Sequence, residues 1–232
     1  MSRWAAVVFD LDDTLYPERD YVRGGFEAAA AWVEAVLGTP RQAAFDELWT
    51  MFEAGVRRDT FDRWLRRRGH AVEGNRQGML AAYRGHRPRI TPYPDVAPAL
   101  EALGREARLG LITEGVRGVQ ETKLEALGLA PSFEKVVILG EDERHDWKPS
   151  PRPFERWLDG TGLEPWQAMY VADNPAKDFL GARRAGWHGV RLRRADGLHR
   201  DEEPESPEAA PDAEIDGLGQ LTTLVVEEGR RR

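Results

Sequence analysis

Short runs of consecutive apolar residues alternate with amphipathic stretches along most of the chain. Six runs read as strands: Ala5–Phe9, Arg108–Ile112, Lys135–Leu139, Ala168–Ala172, Gly189–Leu192 and, more weakly patterned, Ala213–Ile215. The first four are apolar on successive positions rather than alternate ones, as parallel strands are when helices cover both faces. Helical patterns lie between them. Asp95–Arg105 opens on a capping Asp and ends near Gly104, and Gly118–Leu127 is followed at once by Gly128. Pro151–Leu158 carries prolines at its start, and Asp178–Ala185 stops at Gly186. Strand and helix in turn predict an α/β fold, a doubly wound parallel sheet with right-handed crossovers.

The segment between the first two strands does not fit that scheme. About ninety residues separate Thr14 from Arg108, whereas a crossover needs about a dozen. Four helical patterns fill it: Tyr21–Leu37, Arg41–Val56, Thr60–Arg68 and Arg76–Tyr83. Phe45, Leu48, Trp49 and Phe52 recur at helical spacing. The expectation is a core domain of residues 1–16 and 89–232 with a helical subdomain, residues 17–88, inserted after the first strand. Trp32, Trp49 and Trp64 are expected as that subdomain's core. The stretch GLHRDEEPESPEAAPDAE, residues 197–214, is acidic and Pro-rich without periodicity, and is expected as a partly mobile surface loop. Gly217–Glu228 patterns as a closing helix, and Arg230–Arg232 as a solvated end.

Composition narrows the function. The chain has 232 residues and a formal net charge of −7, which argues against a nucleic-acid coat or a polybasic membrane surface. Its apolar runs are strand-sized, too short for a membrane span. The residues after Met1 do not form a signal peptide, and there is no cysteine for disulfide, thiolate or zinc–thiolate chemistry. A cytoplasmic protein is expected. Only four lysines occur, Lys123, Lys135, Lys148 and Lys177, in a chain otherwise rich in arginine. A lysine kept under such a bias points to a role arginine does not fit.

The chemistry gathers where parallel sheets bind ligands, beyond the carboxyl ends of the strands. The first strand delivers Asp10, Asp12, Asp13 and Thr14, in the stretch WAAVVFDLDDTLYP. The second delivers Thr113, Glu114 and Gly115; the third is followed by a loop containing Lys148; the fourth delivers Asp173, Asn174 and then Asp178. Clustered acids repel, and burial adds a desolvation cost. A hard divalent cation such as Mg²⁺ turns them into an oxygen-ligand site, leaving Lys148 and Thr113 to face an anion. That combination suits phosphoryl transfer.

These stretches resemble the four motifs of the haloacid dehalogenase superfamily. DLDDT resembles the D-x-D-x-T motif, LGLITEG the strand ending in Thr or Ser, WKPSPRPF the Lys-Pro motif, and YVADNPAKDFLGARRAGW the motif with two acids. They occur in the family's order over nearly the whole chain. The resemblance implies a Rossmann-like core, an α-helical cap between the first and second motifs, and a Mg²⁺-dependent phosphatase working through an aspartyl-phosphate. It implies Asp10 as nucleophile and Asp12 as general acid and then base. Asp10, the backbone carbonyl of Asp12, and Asp173 are implied as metal ligands. Asp178 is implied near the metal or holding Lys148. Thr113, the amide of Glu114 and Lys148 are implied to grip the phosphoryl group. The chain departs from common family usage at Ala172, often Gly, and at Glu114, often Asn or Asp.

Other readings apply residue by residue. Asp13 is expected to bond local backbone, and Asp178 can cap its own helix. Lys123 and Lys177 read as surface or supporting residues. Tyr16, Arg19 and Arg23 stand open between substrate contact and hinge. The five histidines show no ligand spacing. The expected substrate is a small phosphorylated metabolite, a sugar or triose phosphate or a nucleoside monophosphate, and the protein a monomer or homodimer. A phosphomutase would use the same motifs. A 2-haloacid dehalogenase would lack an acid at position 12, and a signalling receiver would be about half as long and end on its Lys-Pro element.

Overall fold

The computed structural model describes residues 4–230. The core is a six-stranded, all-parallel sheet of β1 (Ala6–Phe9), β2 (Arg108–Glu114), β3 (Lys135–Leu139), β4 (Ala168–Ala172), β5 (His188–Leu192) and β6 (Ala213–Ile215). The strand order is β3-β2-β1-β4-β5-β6. The chain winds outward from β1 in one direction, then returns to its other side with β4. The switch point between β1 and β4 is where such sheets open a crevice.

One face of the sheet buries Ala6, Val8, Ile112, Tyr170 and Ala172 under Phe154, Trp157, Phe179 and Trp187. These cover residues come from α7 (Arg152–Leu158), α8 (Asp178–Arg184) and the turn after it. Val7, Phe9, Leu109, Leu111, Met169 and Val171 point the other way and are buried too. On this side α5 (Val96–Leu103) packs on β2 and on α9 (Leu218–Arg230), while α6 (Arg117–Leu127) packs on β2 and β3. Burial on both faces is why these strands do not alternate. Gly181 lets α8 approach closely: a Cβ there would lie 2.5 Å from the Ser150 carbonyl oxygen and 2.8 Å from that of Pro149.

Within residues 197–214, expected as a partly mobile surface loop, the first few residues are anchored to the core, while most of residues 201–208 are exposed. Buried Arg191 on β5 donates to the carbonyls of His199 at 2.9 Å and Glu202 at 2.6 Å, and to that of Asp173 at 3.3 Å. Its charge leaves water only because these carbonyls and Glu214 receive it. The amide of Leu198 donates to Asp13 Oδ2 at 2.8 Å. Charge density made the segment look solvated, yet its first residues turn their carbonyls onto the Arg191 and Arg193 guanidiniums.

The chain divides into two compact units, Met1–Glu18 with Ile90–Arg232, and Arg19–Arg89. The second contains most of α1 (Glu18–Leu37) together with α2 (Arg41–Glu53), α3 (Thr60–Arg67) and α4 (Asn75–Gly85). Its buried residues include Phe26, Leu48, Phe52, Phe61, Trp64, Leu65 and Met79. Trp64 is a core residue, as expected, but Trp32 and Trp49 are half-buried. Trp49 stacks between Phe45 and Phe52 and lies under the guanidiniums of Arg19 and Arg23. Among the described residues no helix is long and apolar enough to cross a membrane.

Candidate active site

Strand register brings the acids together. Phe9 pairs with Leu111 on one side and Val171 on the other, and the Asp10 amide donates to the Val171 carbonyl at 2.9 Å. Asp10 therefore leaves β1 between the ends of β2 and β4, close to Thr113 and Asp173. The chain then turns sharply. Asp13 adopts a left-handed φ of 53°, a strained conformation for a residue with a Cβ. Its carboxylate holds the turn by accepting from the amides of Glu18 and Leu198, each at 2.8 Å. Thr14 closes the loop toward Asp173, 3.4 Å from its Oδ1.

Asp10, Asp173 and Asp178 are buried, and one carboxylate oxygen of each lies within 4.8 Å of the others. Lys148 is fully buried among them, 2.8 Å from Asp10 Oδ1 and 2.7 Å from Asp178 Oδ1. It also meets the Tyr170 hydroxyl at 2.8 Å. Asp178 Oδ2 accepts from the amide of Asn174 at 3.0 Å, so this residue both closes the loop after β4 and holds Lys148. Asp173 Oδ2 is buried without a hydrogen-bond partner. Burial, then Asp178 and Asp10, push the Asp173 carboxyl well above the usual carboxylate range. Burial also raises Asp10, with Lys148 opposing. Burial alone would lower Lys148, but Asp10 and Asp178 outweigh it and raise it well above an ordinary lysine.

Were all three ionised, these carboxylates would outnumber the one ammonium buried among them by two, which is why burial and mutual repulsion push Asp173 and Asp10 up. All the available donors are hard oxygens, and one buried oxygen is orphaned. This set fits a divalent cation of the oxygen-seeking kind.

Asp12 points elsewhere. Its Oδ1 accepts from Lys123 Nζ at 2.7 Å and from the Tyr16 hydroxyl, and its Oδ2 from Gln120 Nε2 at 3.0 Å. Burial would raise its carboxyl, but the Lys123 ammonium and these donors hold it at about 2. Gln120 Nε2 also donates to Thr113 Oγ1 at 2.6 Å, which leaves the threonine hydroxyl free to donate outward. Glu114 does not aim its carboxylate at an anion. Oε2 accepts from the Lys148 amide at 2.8 Å and Oε1 pairs with Lys177 Nζ at 3.2 Å. It thus ties the end of β2 to the Lys148 loop and to the loop after β4.

Residues 4–186 match the haloacid dehalogenase-like hydrolase family. The chain belongs to that family. A glyceraldehyde 3-phosphate phosphatase of Methanopyrus kandleri is 36% identical, over 96% of this chain and 97% of that protein. A phosphoserine phosphatase of Thermus thermophilus is 37% identical, over 87% of this chain and 70% of that one. Among solved structures, a 2-haloacid dehalogenase from Pseudomonas syringae pv. tomato superposes with a TM-score of 0.63 at 25% identity, over 98% of this chain and 99% of that one. The family thus places phosphatases and dehalogenases on one backbone, and the side chains at the sheet edge have to distinguish them.

This hydrolase site holds more residues than its motifs announce. Tyr170, Lys123 and Gln120 were not singled out as site residues. Lys123 and Gln120 left a trace: with Leu124 and Leu127 they form the buried face of α6, so two polar residues occupy an otherwise apolar helical stripe. The scarcity of lysine was a signal for all four. Lys123 and Lys148 are buried in ion pairs, Lys177 pairs with Glu114, and Lys135 donates to the carbonyls of Arg156 and Asp159 at the end of α7.

Proposed function

We propose that the protein is a Mg²⁺-dependent phosphomonoester hydrolase that uses Asp10 as nucleophile and Asp12 as general acid and base. One observation carries the reading. Two carboxylates two residues apart have separate partners, Asp10 among Lys148 and the buried acids, Asp12 held by Lys123 and Gln120 of α6, the latter also bonded to the Thr113 hydroxyl. A displacement at carbon by one aspartate needs no second acid, whereas departure of an alkoxide from phosphorus does.

In the proposed reaction an oxygen of Asp10 attacks phosphorus, and the bond from phosphorus to the ester oxygen breaks. That oxygen takes the electron pair and a proton from Asp12, leaving as an alcohol; Asp12, ionised beside Lys123 in the free protein, can carry that proton once the bound phosphoryl anion offsets the ammonium. Water then attacks phosphorus while Asp12 takes its proton, and the bond to Asp10 breaks to release phosphate and restore the carboxylate. Lys148 and Thr113, with the amide of Glu114, hold the phosphoryl oxygens. Asp178 and Glu114 orient Lys148, one through its ammonium and the other through its amide. Asp10, the Asp12 carbonyl and Asp173 would hold Mg²⁺, with Asp178 bordering it. Bound there, it would neutralise the acids and polarise a phosphoryl oxygen.

The substrate is proposed to be a small phosphorylated metabolite, with triose phosphates first because the Methanopyrus relative is named for one; phosphoserine, other sugar phosphates and nucleoside monophosphates follow. The inserted helical unit is proposed to act as the cap that limits substrate size. A cytoplasmic monomer or homodimer is proposed. The test is phosphate release from a panel of these esters and p-nitrophenyl phosphate, with Mg²⁺ and with chelator, comparing wild type with Asp10→Asn. Mg²⁺-dependent release lost by more than about 10³-fold in the variant supports the assignment. Release that survives in Asp10→Asn would refute it.

A further inference from the structure

Asp12 is held by more than its position in the chain. Of its four lone-pair positions, three are filled: Tyr16 and Lys123 share Oδ1, and Gln120 takes one on Oδ2. The fourth is on Oδ2. Tyr16 is fully buried, and Lys123 and Gln120 nearly so. Gln120 and Lys123 lie three residues apart on α6 and so share one face of the helix. Gln120 gives its remaining reach to Thr113 Oγ1. A buried amide and a buried ammonium on an apolar helix face are costly unless they are paired, and both are spent on the same carboxylate.

We propose that Lys123 and Gln120 are positioning residues for proton delivery to the leaving group. Lys123 fixes Asp12 by Oδ1, and Gln120 holds Oδ2 beside the threonine proposed to grip the phosphoryl group, leaving the second Oδ2 position open. The reading rests on Asp12 being the general acid of the proposed reaction. Through Gln120 the acid and the phosphoryl grip are set at a common distance, so an ester oxygen attached to a phosphorus held at Thr113 meets Oδ2 without a search. Tyr16 completes the clamp from the nucleophile's own loop.

The leaving group provides the test. An alkyl phosphate needs a proton on its departing oxygen, whereas p-nitrophenolate leaves without one. A positioned acid contributes about 10²–10⁴-fold, and this applies only to the alkyl ester. kcat/KM reports steps up to departure of the leaving group, so the later hydrolysis, common to both substrates, drops out. In Lys123→Met we expect kcat/KM for an alkyl phosphate taken by the wild type to fall by about 10²-fold, and that for p-nitrophenyl phosphate by less than tenfold. Gln120→Leu removes the contact on the other oxygen and carries the same comparison if Lys123→Met does not fold. Equal losses on both esters, or no loss on either, overturn the proposal, because a purely structural role lowers both alike. Asp12→Asn separates this outcome from failure of the underlying mechanism. If it keeps alkyl-ester turnover, Asp12 is not the acid. If it loses that turnover while the α6 variants show no selectivity, only the positioning role fails.

Discussion

Replacing Asp173 by Asn should make the protein more stable without metal and blind to it. The substitution keeps the shape of the side chain, and Asn retains the oxygen that faces the Thr14 hydroxyl at 3.4 Å. It removes one of three buried carboxylates gathered within 4.8 Å, and replaces an orphaned acceptor with an amide. An unsatisfied buried polar group costs about 1–3 kcal/mol. For a chain of this length, about 1 kcal/mol shifts Tm by about 2–4 °C, so the variant in chelator should melt a few degrees above wild type. Mg²⁺ at a hundred times its Kd should stabilise wild type by about 2.7 kcal/mol, a rise of about 5–10 °C. The variant should respond by no more than a degree or two. Calorimetry of both proteins, each with chelator and with saturating Mg²⁺, reads all four values. If Asp173→Asn is the less stable protein in chelator and still gains the wild-type increment from Mg²⁺, the acids at this sheet edge do not form a cation site.

Two other outcomes follow from the same geometry. Lys148→Met strands Asp10 and Asp178 without their ammonium, and breaking a buried pair of this kind costs about 3–5 kcal/mol; chemical denaturation should show that loss, together with loss of phosphatase activity. Asp95 reports on acid stability. Burial would raise its carboxyl, but the bidentate contact from Arg194, at 2.8 and 2.9 Å, and the Leu218 amide hold it below the usual range. The folded value is depressed, so this contribution is present above the unfolded pKa of about 3.9 and fades as pH falls through the folded value. Asp95 is partly exposed, which limits the effect to about 1 kcal/mol. Asp95→Asn should therefore melt lower than wild type at pH 6, with the difference shrinking as pH falls below the unfolded value and through the depressed folded one, as thermal scans across pH would show.

The sheet was legible because each buried strand is short, uninterrupted and bounded by glycine or a charged turn. The acids were legible because charges at the ends of such strands are hard to explain as decoration. Pairwise partners were not. Nothing local marks Glu114 as the acceptor for the Lys148 amide, since the two lie 34 positions apart and meet only when β2 is laid beside the loop after β3. Arg191 read as one arginine among many, and its burial depends on carbonyls from a segment that had no pattern of its own. Trp32 and Trp49 fit a helical period, but the period gives a face and not a depth.

The support for Asp13 and Thr14 bears on where the working domain ends. The family match stops at residue 186, after the last of the motif acids. Yet the Leu198 amide holds Asp13, and Arg194 donates to the Thr14 carbonyl at 3.0 Å while gripping Asp95. A polypeptide trimmed to the matched region would keep every motif acid and lose contacts that stiffen the loop carrying Asp10, the proposed nucleophile. The recognisable signature is shorter than the set of residues that support the loop after β1, and an acidic, proline-rich stretch easily dismissed as spacer supplies one of them, Leu198.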